Sequence, residues 1–213
     1  ERGAFFTPDK ITEFMANWAI RSAHDRVLEP SAGDAAFLVA AIGRLLQLGT
    51  GSDSRPVVEG VEIHAHSARV GRERVRAAGG IAKIQISDFF LVTPQPVYDT
   101  VIGNPPYIRY QDFTGDARAR SREAAFRAGV SLSGLASSWA AFTIHSALFL
   151  KRGGRLALVL PAELLSVNYA APVRRFLFSH FRDVQVVLFE QQVFPEAEAD
   201  VVLLLADGYL DGP

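Results

Sequence analysis

Asn104-Pro105-Pro106-Tyr107 follows an apolar run, Tyr98 to Gly103, and places unusual chemistry at its end. Proline disfavours the helical region in the residue before it, so Asn104 and Pro105 are both pushed to extended backbone. The result is a stiff arm with two acceptors. One is the Asn104 side-chain carbonyl; the other is the main-chain carbonyl of Pro105, a residue with no N–H of its own. Such a pair suits an –NH₂ group that must be oriented, and Tyr107 offers a flat face for a planar ring. The plain alternative is a Pro-Pro loop that merely stops a strand. The aromatic ring and the preceding apolar run count against it.

Three acids stand at similar places. Glu29 precedes the turn Ser31-Ala32-Gly33, whose small residues allow backbone to approach a ligand closely. Asp34 would repel a phosphate there, so the turn suits a cationic or hydroxyl-bearing group; an ordinary strand-to-helix turn reads equally well. Glu62 can accept from ribose hydroxyls, or be a solvated acid at a strand end. Asp88, before Phe89-Phe90, can hold the amino edge of an adenine whose ring packs on an aromatic, or cap a turn beside two core phenylalanines.

These residues need a frame. Thr7-Pro8-Asp9 reads as a helix start with a hydroxyl cap. Strands are expected at 26–30, 56–63, 82–87, 98–103, 155–161, 184–189 and 200–206. Helices are expected after Gly33, over 67–78, over 138–152 (ending in Lys151-Arg152-Gly153-Gly154) and near 170–181. Residues 111–137 read as a polar connection rich in arginine and serine. Strands alternating with helices, and composed of continuous Val/Ile/Leu runs, argue an α/β fold with a mostly parallel sheet covered on both faces. Ligands of such sheets bind beyond the strands' C-terminal ends, where Glu29, Glu62, Asp88 and Asn104 lie.

Composition narrows the classes. The 213 residues, 49% hydrophobic and 21% charged, suit one domain with a sizeable core. No apolar run reaches membrane-spanning length. The absence of cysteine excludes disulfides, thiolate metal sites and cysteine nucleophiles. His64 and His66 lack a third partner and mark a helix entry, so no metal site is expected; His24, His145 and His180 receive no role. A net charge of −1 gives no overall basic footprint. Between Arg109 and Arg127, however, five arginines outnumber Asp112, Asp116 and Glu123. They suit either phosphate contacts or a solvated connection. Glu1 in place of an initiating methionine points to a piece of something longer.

The order "FFTP", "LEPSAG", "VEIH", "SDFF", "NPPY" and "VFPEAEADVVLLL" resembles the N6-adenine-specific DNA methyltransferases whose recognition domain follows the catalytic domain. The likeness runs from Gly3 to Ala206. It implies a Rossmann-like class I S-adenosylmethionine-dependent fold, with a seven-stranded, mostly parallel sheet and an antiparallel last strand. It implies S-adenosylmethionine as cofactor, DNA as partner, and a cytoplasmic role in a bacterial or archaeal restriction-modification or phage-defence system. By position, Thr7 would meet the methionine carboxylate and Glu29, Ser31 and Gly33 the methionine part. Glu62 and Ile63 would meet the ribose side, and Asp88 and Phe89 the adenine. Asn104 and Pro105, braced by Pro106, would accept from N6 of a flipped adenine, with Asn104 also bordering the cofactor. Tyr107 and Phe194 would stack on the base. Relatives often carry glycine at Ala35, whose methyl would then crowd the cofactor.

The resemblance makes residues 1–213 a catalytic domain whose target-recognition domain or subunit lies outside the chain. A rival is a protein-glutamine methyltransferase, which shares the Asn-Pro-Pro-Tyr arm; "FFTP" and "VFPE" argue against it. The other is a cofactor- or DNA-binding subunit that has lost catalysis, opposed by the intact arm.

Overall fold

The structure, a computed structural model, describes residues 7–49, 55–109, 111–112, 114–189 and 200–211. Its strands are β1 (Val27–Glu29), β2 (Val57–Glu62), β3 (Ile81–Ile86), β4 (Tyr98–Gly103), β5 (Leu150–Pro161), β6 (Phe181–Val187) and β7 (Val201–Tyr209). They form one sheet in the order β3-β2-β1-β4-β5-β7-β6. β1 to β5 pair in parallel, and β7 runs antiparallel to both neighbours. The expected seven strands and antiparallel last strand are both present.

Alternation along the strands divides the core between two faces. Ala157 and Val159 point to the side covered by α1 (Asp9–Ala19), α2 (Ala36–Gln47) and α3 (Ala65–Ala77). Leu156, Leu158 and Leu160 point to the side covered by α4 (Gly115–Phe126), α5 (Ser138–Ala147) and α7 (Ala171–His180). A single turn, α6 (Glu163–Ser166), follows β5. The chain winds outward through β2 and β3, then returns to β4 on the other side of β1. The strand order therefore reverses between β1 and β4, where open α/β sheets make their ligand crevice.

Three expectations need correction. Helix α4 lies within the stretch read as a connection. Its buried residues are only Ser121, Ala124 and Ala125, too small to print an apolar stripe on the sequence. Lys151-Arg152-Gly153-Gly154 does not end α5 but lies within β5. There Tyr98 pairs with Leu150 and Thr100 with Arg155, so the extra residues bulge out, with Gly153 at φ +76°. Lys151 pairs with Asp99 at this bulge. Finally, Pro8 rather than Thr7 occupies the cap position of α1, which has no side-chain cap bond.

The N-terminal end of the sheet carries a buried ion pair. Arg155 donates to Asp25 at 2.7 Å, and the main chain of Arg21 donates to the same carboxylate oxygen at 2.9 Å. Both Asp25 and Arg155 are under 10% exposed. Removing one partner leaves a desolvated charge, a loss of about 3–5 kcal/mol in comparable buried pairs. Asp25→Ala is expected to lower the unfolding free energy by that amount in urea titrations.

Candidate active site

At the crevice between β1 and β4 the two strand ends sit close together. An added Cβ at Gly103 would lie 3.5 Å from Glu29 Cγ and 3.6 Å from the Pro30 ring. Asn104 follows directly and gathers three segments. Its Nδ2 donates to Thr7 Oγ1 at 3.2 Å. Ser31 Oγ donates to its main-chain carbonyl at 3.2 Å. Tyr107 Oη lies 2.7 Å from its Oδ1 and 2.9 Å from the Val159 carbonyl, both of which can accept the single phenolic proton. Thr7, freed from helix capping, is thus 5% exposed and turned to the arm. The Tyr107 ring packs on the core beneath α5, and burial pushes its phenol pKa far up, so it stays a neutral donor.

Glu29 is the most unusual acid. It is 2% exposed and, among the described residues, its Oε2 has no hydrogen-bond partner. Burial, then the nearby Asp34 and Glu62, hold its pKa well above the ordinary carboxylate value; an N–H bond from Leu38 in the first turn of α2 opposes them. A buried carboxylate with a spare oxygen is expensive unless a cation or donor meets it. Glu62 differs, since both its oxygens are engaged. Oε2 accepts from Gly33 N–H and Oε1 from His64 N–H, each at 2.8 Å. It holds the turn after β1 against the start of α3 and keeps one lone pair per oxygen for a ligand. Ile63, next along the chain, is 59% exposed at the same edge.

The turn itself uses left-handed backbone at Gly33 (φ +50°) and Ala35 (φ +66°). At Ala35 this costs about 1–2 kcal/mol. The Ala35 methyl does not crowd the crevice. It is fully buried and faces Gly71 of α3, where an added Cβ would meet it at 3.0 Å. Asp34 is not a free acid either, because Arg74 of α3 pairs with it and also donates to its carbonyl at 2.8 Å.

Asp88 and Phe89 depart from their simple reading. Asp88 Oδ1 caps the turn Phe89–Leu91 by accepting from Phe90 N–H at 3.0 Å. Its Oδ2 accepts from Arg120 Nε of α4, also at 3.0 Å. Phe89 is 3% exposed, stacked on Phe142 and Phe149 at 5.2 and 5.1 Å. Its ring belongs to the core, so it gives a ligand no stacking face. His145 supports this turn from α5, with Nε2 3.2 Å from the carbonyls of Phe89 and Val92. Burial lowers its pKa to about 4, so it is neutral. Phe194 lies outside the described residues. His64 is the cap residue of α3, and no group of three metal-binding side chains occurs among the described residues. Nor is any of their helices long and apolar enough to cross a membrane.

Thr7, Glu29, Ser31, Gly33, Glu62, Ile63 and Asn104 thus surround one crevice edge. Sequence reasoning missed Arg120, His145 and Ser138. For the last, adjacent serines opening an apolar helix were the available signal.

A family model described as N-6 DNA Methylase matches residues 1–207. Type II methyltransferase M.HincII of Haemophilus influenzae is 28% identical over 202 residues, covering 94% of this chain and 36% of its own length. M.XamI of Xanthomonas campestris pv. amaranthicola is 29% identical, with 90% and 36% covered. The chain therefore spans about a third of the length of these curated relatives. Among solved structures, the methyltransferase subunit of a type I restriction-modification system from Streptococcus thermophilus superposes with a TM-score of 0.77 at 20% identity, covering 98% of this chain and 46% of that one. A candidate class I S-adenosylmethionine-dependent methyltransferase from Listeria monocytogenes gives 0.73 at 21%, covering 98% and 62%. The fold is that of the class I methyltransferases, and with nearly its whole length matched by the family model, the chain belongs to the N-6 DNA methylase family.

Proposed function

We propose that the chain is the catalytic part of an enzyme that moves a methyl group from S-adenosylmethionine to N6 of an adenine flipped out of DNA. The observation that carries this reading is the fixing of Asn104 by Thr7, Ser31 and Tyr107, one strand away from Glu29, whose Oε2 has no partner among the described residues. Membership of the family and the type II methyltransferase relatives support DNA adenine over a protein amide as acceptor.

The residues present fit S-adenosylmethionine, which supplies an electrophilic methyl on a positively charged sulfur. Glu29 Oε2 is an unused acceptor in a dry place, suited to an ammonium. Glu62 has lone pairs left for vicinal hydroxyls, and Ile63 offers an exposed apolar face. Asp88 takes an amino edge by sharing or exchanging the oxygen bound to Arg120.

At the acceptor, the N6 lone pair is delocalised into the adenine ring and is a poor nucleophile. Asn104 Oδ1 and the Pro105 carbonyl draw the two amino hydrogens toward themselves and favour a pyramidal nitrogen. The lone pair would then face the methyl of the bound sulfonium; the N–C bond would form as the C–S bond broke, the sulfur leaving as a neutral thioether, and N6 would give one proton to water. No group titrating near neutrality is required. Positioning carries the rate, because the cofactor holds the reactive group. Extruding the base costs a few kcal/mol, and each stacking ring offsets about 1–3 kcal/mol; Tyr107 and Phe194 are the rings assigned here. The choice of target sequence, in this reading, belongs to a recognition domain or subunit beyond these residues, within a restriction-modification or related defence system.

The direct test is transfer of labelled methyl from S-adenosylmethionine to DNA by the intact protein, with digestion to nucleosides. N6-methyladenosine is expected; label on glutamine instead would overturn the reading. Asn104→Ala is expected to cut turnover by about a hundredfold or more, the scale of losing one preorganised polar contact at a reacting group, with cofactor affinity by calorimetry within threefold. Ala35→Gly is expected to leave cofactor affinity within twofold, because the methyl it removes faces α3.

Glu29 gives a pH signature in the ligand-free protein. Its folded pKa is raised above the ordinary 4.5, so between the two values the folded state binds more protons than the unfolded chain. Stability from this group therefore falls as pH rises upward from 4.5. Glu29→Gln is expected to flatten that fall in urea unfolding measured between pH 5 and 8.

A further inference from the structure

The arm must hold its two carbonyls still, and its two prolines have no N–H to donate. The start of α5 bonds it from outside. Ser138 Oγ accepts from Ile108 N–H at 2.8 Å and donates to the Pro106 carbonyl. Ser138 N–H, one of the donors a helix N-terminus leaves unpaired, donates to the Ile108 carbonyl at 3.0 Å. One residue, 1% exposed, therefore bonds the main chain on both sides of Tyr107. The adjoining residues anchor it. Tyr169 Oη donates its single proton to Glu163 and accepts from the Ser137 hydroxyl at 3.3 Å and from Trp139 Nε1 at 3.3 Å. Burial first, then the Glu163 bond, raise the Tyr169 phenol to about 12, so this anchor stays a neutral donor. The arm and the segment after β5 are thus fastened to the same turn of helix.

We infer that Ser138 is a positioning residue for methyl transfer: it sets the path of the arm through Pro106 and Ile108, and with it the direction of the Pro105 carbonyl and the Tyr107 ring. A stiff dipeptide limits local bending but does not fix where the arm points. Three bonds from a buried helix start do. The inference rests on the function proposed above, in that turnover is the property Ser138 serves.

The matched control is Thr143 in the same helix. Its buried hydroxyl donates only to the Trp139 carbonyl, at 2.9 Å, and does not touch the arm. Ser138→Ala and Thr143→Val each delete one buried hydroxyl from α5. In the intact protein, Ser138→Ala is expected to lower kcat about 10- to 100-fold, since a displacement near 1 Å can cost that much. The KM for S-adenosylmethionine should stay within twofold. Deuterium uptake of the ligand-free protein across 104–109 should quicken. Thr143→Val is expected to change neither kcat nor uptake over 104–109 by more than twofold. Ser138→Ala with kcat within twofold of the parent, uptake across 104–109 unchanged, or Thr143→Val losing as much as Ser138→Ala would each overturn the inference. The two readings fail separately. If the parent labels no adenine the proposed function falls, while the uptake comparison still decides whether Ser138 holds the arm.

Discussion

Parallel pairing of β1 with β4, with Leu28 opposite Val101, brings an acid and an amide to adjacent strand ends with little room between them. Everything at the crevice answers to that closeness. Glu29 is desolvated because Gly103, Pro30 and the first turn of α2 crowd it. Asn104 is immobilised because Thr7, Ser31 and Tyr107 arrive from different parts of the chain. Neither condition could hold if the strand order did not reverse here, since a helix crossing between β1 and β4 would fill the space. The topology creates the vacancy, and the side chains then give it polarity.

The polarity is asymmetric. On the β1–β2 side, Glu29 and Glu62 are both buried, but one has a spare oxygen and the other has both oxygens tied to backbone. Glu62 builds the turn, whereas Glu29 is left with an unmet electrostatic demand. On the β4–β5 side the groups are neutral: an asparagine, a proline carbonyl and a phenol that burial keeps protonated. Charge is met on one side and geometry on the other, as suits a cationic donor and an uncharged amine brought face to face.

Much of this was legible in the sequence. Apolar runs marked the strands, and the acids and asparagine marked the strand ends, the edge at which such sheets bind ligands. What was not legible depended on tertiary partners. Helix α4 buries only small residues, so periodicity could not reveal it. The Gly153 bulge looked like a helix terminus because cations followed by glycines serve both purposes. Thr7 has the composition of a cap, yet its hydroxyl meets an amide 97 positions away. Phe89 looked available to a ligand until four aromatic neighbours claimed its ring. In each instance the local pattern admitted two uses, and a distant contact chose between them.

Beyond the Asp34–Arg74 and Asp88–Arg120 pairs beside the crevice, a second set of polar ties lies at the opposite end of the sheet: Asp25 with Arg155, Asp99 with Lys151, and Glu59 with Arg26 and Tyr98. Arg26 also lies over the Tyr98 ring. This second set is separated from the crevice by the length of the strands. Loops at the crevice end can be lengthened or shortened without disturbing the ion pairs at the far end. Such an arrangement lets the crevice loops change while the scaffold beneath them stays as it is.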